Sequence, residues 1–533
     1  MNKIKSLVAL GLLSAASVFA NDWPEWGGQL MRNMYSKEKG LPSSFDPGQF
    51  KSGSEEVDMK TTKNVKWVAK IGSQSYGNVT VSGGKIFVGT NNESPRDPQH
   101  TGDRSILMCF DEKTGDFLWQ LVVPKLRSGK VNDWENLGLL ASPTVEGDRV
   151  YIVTSRCEVM ALDVNGQANG NQGFQDEAKY YVQDTGNPPA KIGPKDADII
   201  WKYDMMDDLG VFPHNASNCS VLIVDDIVYV CTSNGQDWTH SNIPSPLAPS
   251  FIALNKKTGE FLGEDDANIG PRIFHGQWSS PSLAVVNGKK QVLFGGGDGW
   301  LYAFDPKPVE ADDTSYLKTI WKFDANPPEY KKHRYPAAEG PSEINATPVF
   351  YKNRVYVAIG QDPEHGEGVG RLVCVDATKT GDITETGLIW DYRGIKRSIS
   401  TVSIDPESGL LFVGDFSGFV HCLDVETGKL YWVYDMKAHM WGSTFVADGK
   451  VFVGDEDGDF VILPAKKDFD PKKDKPIFET NLNAPIYGTP IVANGTVYIQ
   501  SNTHLYAFND QSKMQGDKAP KVELDAPKSD TKK

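Results

Sequence analysis

Three side chains able to hydrogen-bond or to stack on a ligand lie close together in the stretch FHGQWSSPSL, which begins at Phe274. They are His275, Gln277 and Trp278, and a short apolar run follows them directly. Similar groups precede seven other short apolar runs: Tyr76 with Asn78; Glu135 with Asn136; His214 with Asn215 and Asn218; Glu343 with Asn345; Arg397 with Ser398; His439 with Trp441; and Tyr487. The recurrence indicates that these side chains hold one place in a repeated unit.

These residue types can bind a small ligand or a metal ion, or transfer protons. Imidazoles and carboxylates ligate metals and carry protons, so Glu135 and Glu343 are candidate catalytic bases. Glu135, Asn215 and Glu343 are also candidate oxygen ligands for a metal such as calcium. The candidate ligand-contacting residues are Tyr76, Asn136, His214, Asn215, His275, Gln277, Trp278, Asn345, Arg397, His439 and Trp441. The alternative is that these side chains only hydrogen-bond water.

The apolar runs belong to a repeat that predicts the architecture. Eight stretches combine a tight Gly, Asp or Asn turn with an alternating strand, and they begin at Val81, Val145, Val224, Val286, Tyr351, Glu407, Val446 and Val492. Most have a strand before them and a third strand after them, and several add a fourth strand that carries Trp. The sequence therefore predicts an all-β fold, an eight-bladed β-propeller of four-stranded antiparallel blades.

The chain also contains a segment that can close the ring. The eighth unit ends at its third strand, at Phe508, and lacks an outer strand. Residues 64–71 end as the fourth strands do, with Trp67 in the matching position. We expect this N-terminal strand to complete the last blade, which holds both ends of the ring in one sheet.

Propeller geometry sorts the loops onto two faces. The loops that enter the inner strands share the top face with the loops between the second and third strands. The latter loops and one connecting loop carry His100, Asp237, Trp238, His240, His333, Asp362, Glu364 and His365. By this mapping seven of the nine histidines face upward, which favours a polar, aromatic pocket at the axis of the ring.

The pattern D-x-x-T-G-x-x-x-W is intact at residues 111–119 and 424–432. It resembles the tryptophan-docking motif of the quinoprotein alcohol dehydrogenase-like propellers, whose repeats are called PQQ-like. The resemblance covers residues 22–509 and implies that Trp201, Trp321 and Trp390 pack between neighbouring blades. The third blade departs from the pattern, because Gly263 stands where Trp is expected.

The resemblance does not fix a function. It implies dehydrogenases that use pyrroloquinoline quinone (PQQ) with calcium, the scaffold of the outer-membrane protein assembly machine, or exported proteins of unassigned role. Trp278 or Trp441 would be the surface on which PQQ stacks. The chain departs from the family's alcohol dehydrogenases because it has no two adjacent cysteines, and it has no C-x-x-C-H haem motif.

Composition and the chain ends narrow the compartment and the partners. Residues 1–20 have a basic start and a short apolar stretch, which is typical of a signal peptide cleaved near Ala20 and predicts a periplasmic or secreted protein. The net charge of −15 argues against nucleic acid as a partner, and no later segment is long enough to span a membrane. We expect an N-terminal segment over 21–63, the propeller over 64–510 and a disordered tail over 511–533.

Five of the six cysteines fall into two groups, and Cys157 has no obvious partner in the sequence. Cys109, Cys374 and Cys422 take a third-strand position that Ala holds in other repeats, which predicts small buried core residues. Cys219 and Cys231 lie on adjacent strands of one hairpin. The sequence leaves open whether these two thiols are bonded.

The leading hypothesis from the sequence is an exported propeller that binds a small ligand or a metal in a pocket on its top face. A carbohydrate or another small polar molecule is the favoured ligand class. The first alternative is a PQQ- or metal-dependent oxidoreductase. The second is a scaffold for another protein of the cell envelope.

Overall fold

The computed structural model describes residues 21–311, 313–363 and 368–509. The predicted signal peptide and the tail from 511 onward lie outside the described residues, as do Glu364 and His365. No helix in the described ranges is long and apolar enough to cross a bilayer.

The first half of the described chain contains the N-terminal strands and blades 1 to 3. The N-terminal strands are β1 (Tyr35–Ser36), β2 (Gln49–Phe50), β3 (Val57–Asp58) and β4 (Val65–Lys70). Blade 1 comprises β5 (Thr80–Ser82), β6 (Lys85–Asn91), β7 (Arg104–Asp111) and β8 (Phe117–Pro124). Blade 2 comprises β9 (Thr144–Glu146), β10 (Arg149–Val153), β11 (Glu158–Asp163) and β12 (Ile199–Asp204), with the short helices α1 (Glu177–Tyr180) and α2 (Met205–Leu209). Blade 3 comprises β13 (Leu222–Val224), β14 (Ile227–Cys231), β15 (Phe251–Asn255) and β16 (Phe261–Asp265).

The second half contains blades 4 to 8. Blade 4 comprises β17 (Ser282–Val286), β18 (Lys289–Gly295), β19 (Trp300–Phe304) and β22 (Thr319–Asp324), and its last connection carries β20 (Val309–Glu310) and β21 (Ser315–Leu317). Blade 5 comprises β23 (Val349–Tyr351), β24 (Arg354–Ile359), β25 (Arg371–Asp376) and β27 (Leu388–Tyr392), with β26 (Gly381–Asp382) between the last two. Blade 6 comprises β28 (Ser403–Asp405), β29 (Leu410–Gly414), β30 (Phe419–Asp424) and β31 (Leu430–Asp435). Blade 7 comprises β32 (Phe445–Ala447), β33 (Lys450–Gly454), β34 (Asp459–Pro464) and β35 (Phe478–Asn481), and blade 8 comprises β36 (Ile491–Ala493), β37 (Thr496–Gln500) and β38 (His504–Phe508).

The predicted propeller and its closure are confirmed. Besides the two-stranded sheet of β2 and β3, the described residues form eight sheets, each with a core of four antiparallel strands, and β4 pairs antiparallel with β38 as the outer strand of blade 8. Trp67 of β4 stands opposite Ala507. A strand that precedes blade 1 in the chain therefore completes the sheet of blade 8.

Docking tryptophans join each of five blades to the next one. The indole N–H groups donate to backbone carbonyls of the following blade at 2.8–3.3 Å, from Trp67, Trp119, Trp201, Trp390 and Trp432. Each ring stands opposite a small residue, which is Cys109, Cys374 or Cys422 in three blades. The prediction that these cysteines are small core residues is thus confirmed.

Blade 3 lacks a docking tryptophan because another segment occupies that space. Strand β21, which belongs to the blade 4 connection, pairs in parallel with β16 and extends the sheet of blade 3. A Cβ atom at Gly263 would lie 2.8 Å from the Ser315 carbonyl oxygen and 2.9 Å from Pro308 Cβ. The added strand therefore takes the place of the indole and covers the sheet edge.

The six cysteines are all buried and free. Cys219 and Cys231 are close neighbours, since the backbone N–H of Cys231 donates to Cys219 Sγ at 3.2 Å. Cys231 Sγ in turn donates to the carbonyl oxygen of Gln277 at 3.4 Å. The structure thus answers the question that the sequence left open in favour of two thiols.

The N-terminal segment runs beneath the inner strands and joins the blades at the axis. Backbone bonds link residues 21–36 to the inner strands at Val81, Val145, Leu283, Phe350 and Val446, at 2.8–3.3 Å. Arg32 is completely buried and donates to Glu25, to the carbonyl oxygens of Pro281 and Val221, and to that of Trp26. Asn33 exchanges two hydrogen bonds with the backbone of Ile404. We call residues 21–36 the axial segment.

Candidate ligand cavity and histidine cluster

A cavity of about 460 Å³ lies on the axis of the ring, above the axial segment. Its lining residues come from the loops that enter the inner strands, together with Trp26 of the axial segment and Asp362 and Pro363 of a top loop. The Trp26 indole N–H donates to Thr347 Oγ1 at 3.0 Å. The axial segment therefore closes the bottom of the channel and turns it into a pocket.

A belt of short polar side chains holds the inner strands around this cavity. In seven of the links between neighbouring blades, a backbone N–H donates to the side-chain oxygen of the next blade at 2.7–3.3 Å. The residues involved are Asn78, Ser142, Ser220, Ser280, Thr347, Thr401, Ser443 and Thr489, each two positions before an inner strand. This regular belt fixes the backbone from which the longer lining side chains project.

One side of the cavity is aromatic. The rings of Tyr76 and Tyr487 are stacked, with centroids 4.6 Å apart, and Trp441 lies 5.4 Å from Tyr487. The Trp441 indole N–H donates to Glu456 Oε2 at 3.0 Å. Burial raises the pKa of Tyr487, so its hydroxyl stays protonated. These rings present flat apolar faces, and polar groups at the edges of the rings hold them in place.

Another side presents asparagine amides. Asn215, Asn218 and Asn345 line the cavity. Asn215 has a φ of +58°, a left-handed conformation that Asn adopts more readily than most residues. Within the described part of the chain, Asn215 Oδ1, Asn218 Oδ1 and both polar atoms of the Asn345 side chain are buried without a hydrogen-bond partner. Buried polar groups of this kind require a partner.

Five of the predicted ligand-contacting residues line the cavity, namely Tyr76, Asn215, Trp278, Asn345 and Trp441. Gln277 lies behind the cavity wall. Its side-chain Nε2 donates hydrogen bonds to the carbonyl oxygen of Asn234 and to Ser250 Oγ, and its Oε1 accepts one from the N–H of Gly297. Asn136 is exposed. The remaining positions pack around the rim.

Two predicted residues of the rim contact the same phenylalanine. The Arg397 guanidinium lies over the ring of Phe416, 4.5 Å from its centroid. His439 stacks on the same ring at 4.6 Å and bonds the carbonyl oxygen of Phe416 through Nδ1. Phe416 also packs edge-on against Trp441 at 5.0 Å, so these residues support the aromatic wall.

The two predicted catalytic carboxylates have different environments. Glu135 is exposed and Glu343 is completely buried, and neither lines the axial cavity. Glu343 Oε1 accepts from the N–H of Asp362 at 2.8 Å and from the Tyr335 hydroxyl at 3.3 Å. Burial, and then the charge of Glu343, raise the pKa of Tyr335 well above its usual value, so Tyr335 remains a donor to this carboxylate.

Among the residues that the structure describes, three histidines form the group with metal-binding spacing. One ring nitrogen from each of His214, His240 and His275 lies within 4.8 Å of the others. The ring centroids of His214 and His275 are 4.2 Å apart, and His240 lies 5.0 and 4.9 Å from them. The sequence singled out His214 and His275 but left His240 among the loop residues, because loop length alone does not show that it folds back onto them.

The lining of the cavity does not fit PQQ with calcium. PQQ carries several carboxylates, which need cationic or densely hydrogen-bonding partners when they are buried. Among the described residues that line the cavity, none carries a positive charge, and Asp362 is acidic. Glu135 and Glu343, which were predicted as oxygen ligands together with Asn215, lie outside the lining.

Comparisons with known proteins gave one family match and several similar structures. A family model described as outer membrane protein assembly factor BamB matches residues 406–467, and no curated protein matches the sequence significantly. BamB from Moraxella catarrhalis is similar in structure, with 15% identity and a TM-score of 0.47 over 84% of this chain and 98% of that chain. The quinohemoprotein alcohol dehydrogenase from Comamonas testosteroni has 14% identity and a TM-score of 0.45 over 96% and 83%.

A third similar structure is the computationally designed Ika8 protein, with 12% identity and a TM-score of 0.45 over 82% of this chain and 97% of that chain. The described chain has eight blades, docking tryptophans at five of their junctions, and a family match that runs from blade 6 into blade 7. The described chain is therefore an eight-bladed β-propeller, and its residues 406–467 match the family model.

Proposed function

We propose that the protein binds a small neutral carbohydrate in the axial cavity. The observation that carries this proposal is the set of buried amide atoms of Asn215, Asn218 and Asn345, which find no partner among the described residues. Amide groups both donate and accept hydrogen bonds, as sugar hydroxyls do. A ligand rich in hydroxyl groups would satisfy them.

The opposite wall supports the same ligand class. The stacked pair of Tyr76 and Tyr487, with Trp441, provides flat apolar surface against which the C–H face of a sugar ring packs. Asp362 and the lack of a cation among the described lining residues disfavour anionic ligands. A cavity of about 460 Å³ is within the size range of small-molecule sites.

We also propose that the protein acts outside the cytoplasm, in the cell envelope or beyond it. Support comes from the signal-peptide pattern of residues 1–20. The family model that matches residues 406–467 is described by a role in outer-membrane assembly, which is consistent with an envelope location. Fractionation of the producing cells tests the location of the protein. N-terminal sequencing of the purified chain tests whether residues 1–20 are removed as a signal peptide.

Replacement of Trp441 by alanine is expected to weaken sugar binding by about tenfold or more, which corresponds to about 1.4 kcal/mol, because it removes one aromatic face. The measurement is a tryptophan-fluorescence and calorimetric titration with glucose, galactose, mannose, maltose and cellobiose. Asn345→Ala should weaken binding similarly. Trp238→Ala is the matched control, since Trp238 is 55% exposed on a top loop and does not line the cavity.

Glucuronate and PQQ with calcium serve as anionic comparisons and should bind more weakly than the best neutral sugar. The proposal is wrong if no neutral sugar in the panel shows saturable binding. It is equally wrong if Trp441→Ala and Asn345→Ala bind as the unmodified protein does.

The scaffold alternative is favoured by one separate observation. Trp238 and Leu247 lie on the same top loop and are 55% and 88% exposed, which is unusual for large apolar side chains in such proximity along the chain. If this loop contacts an envelope protein, the double variant Trp238→Ser, Leu247→Ser should lose a partner that the unmodified protein retains from envelope extract, while its sugar binding is unchanged. Equal retention by both proteins would remove this candidate.

A further inference from the structure

We propose that His214, His240 and His275 bind a first-row divalent cation of the zinc and copper type. The site lies on the top face between blades 3 and 4 and is separate from the axial cavity, whose lining includes none of the three histidines. It does not depend on the carbohydrate proposal. We call His214, His240 and His275 the histidine site.

The spacing of the rings is close to that of a metal centre. Zinc–nitrogen bonds of about 2.0–2.1 Å place two ligand nitrogens about 3.3 Å apart in a tetrahedral site. The ligand nitrogens of the histidine site all lie within 4.8 Å of one another. Small side-chain rotations bring them to bonding distance, and His240 can follow because it is exposed on a loop.

Hydrogen bonding prepares one of the ligands. His214 is completely buried, and its Nδ1 lies 2.6 Å from the carbonyl oxygen of Gln236. Because a carbonyl oxygen only accepts, Nδ1 carries a proton, and in the neutral ring Nε2 therefore carries the lone pair. A backbone carbonyl in this position is a common outer partner of metal-bound histidine, since it fixes the tautomer and the ring orientation.

The backbone brings the third histidine onto the other two. His240 has a φ of +52°, a left-handed conformation that few non-glycine residues adopt and that is common at functional sites. Asp237 accepts hydrogen bonds from Thr239 and Asn242 and holds the turn. At Gly235 an added Cβ would lie 2.7 Å from both His214 Cβ and the His275 carbonyl oxygen, so only glycine permits this close approach.

The surroundings leave one side of the site accessible. Trp278, whose ring is 5.5 Å from His275 and 6.2 Å from His214, separates the site from the axial cavity that it lines. On the other side His240 borders a cleft of about 640 Å³, which Phe274 and Tyr335 also line. Three imidazoles with an open fourth position are a ligand set found in catalytic zinc sites, and imidazole ligands favour zinc, copper or nickel over calcium or magnesium.

The test is a metal titration of protein prepared without a polyhistidine tag and dialysed against EDTA. We expect the unmodified protein to bind a single equivalent of Zn²⁺ by calorimetry and elemental analysis. Addition of Co²⁺ to the metal-free protein should produce visible absorption of the intensity typical of tetrahedral Co²⁺. Subsequent addition of Zn²⁺ should abolish this absorption, and addition of Ca²⁺ should not. His240→Ala and His275→Ala should each lower the Zn²⁺ affinity by more than tenfold.

His333→Ala is the matched control, because His333 is an exposed histidine that borders the same cleft outside the histidine site. His240→Ala is the decisive variant, since replacement of a side chain on an exposed loop leaves the core intact, which circular dichroism verifies. Zn²⁺ binding that survives in His240→Ala and His275→Ala, or binding that His333→Ala weakens equally, overturns the proposal. The absence of any saturable binding of Zn²⁺, Cu²⁺ or Co²⁺ by the unmodified protein overturns it as well.

Discussion

Replacement of Arg32 by methionine is expected to lower the free energy of unfolding by about 3–5 kcal/mol. The guanidinium is completely buried and bonds Glu25 Oε2 at 2.7 Å. Burial raises the pKa of Glu25 and lowers that of Arg32, and each partner's charge opposes the shift in the other. Without Arg32 the buried carboxyl group keeps its desolvation penalty and loses its cation.

Urea denaturation followed by tryptophan fluorescence measures the effect of this change. The double variant Glu25→Gln, Arg32→Met should recover part of the loss, because it removes the uncompensated charge. Lys39→Met is the control, since Lys39 pairs with Glu407 on the surface, where both side chains are more than half exposed. If Arg32→Met unfolds at the same urea concentration as Lys39→Met, the axial segment is not part of the cooperative fold.

Replacement of Trp119 by alanine is expected to destabilise the ring by about 3–5 kcal/mol. The indole is 1% exposed, and its N–H donates to the Val164 carbonyl oxygen of the next blade at 3.1 Å. The ring packs over Gly166, where an added Cβ would lie 2.9 Å from Trp119 Cγ. Alanine would leave a large cavity at the junction of blades 1 and 2.

Thermal and urea denaturation of a short series separates the two contributions. Trp119→Phe keeps an aromatic ring and should lose about 1–3 kcal/mol, because the carbonyl oxygen of Val164 loses its donor. Trp238→Ala should change stability by less than about 0.5 kcal/mol, since that side chain is largely exposed. A Trp119→Ala protein as stable as Trp238→Ala would contradict the docking role.

The blade core could be predicted from the sequence because two local signals agree. The alternation of apolar and polar residues along each strand gives the register of the strands. The sizes of the side chains then identify each docking tryptophan and the small residue opposite it, as at Trp67 and Ala507. Both signals recur in successive repeats, so the assignment of strands in one blade supports the assignment in the next. The added strands β21 and β26 could not be predicted, since they are two or three residues long and pair with a neighbouring blade.

The candidate site could be predicted only in part, for a geometric reason. Residues that enter the inner strands have a repeated position, which placed Asn215, Trp278 and Trp441 correctly at the cavity. The register does not determine which way each side chain points. The sequence therefore predicted the buried Gln277 and the exposed Glu135 as site residues together with those three. His240 belongs to a loop without a repeat, and its contact with His214 depends on the turn around Asp237.

The axial segment and β4 together constrain the order in which the molecule can fold. It leaves the ribosome before any blade, yet its partners extend as far as Ile404 and Val446, and β4 pairs with β38 near the other end of the described chain. Contacts of such sequence separation form slowly, and until β38 is made β4 remains an unpaired edge that can associate with other chains. A chain that lacks the single strand β38 should therefore fail to close the ring, because β38 holds β4, the strand that precedes blade 1, in the sheet of blade 8.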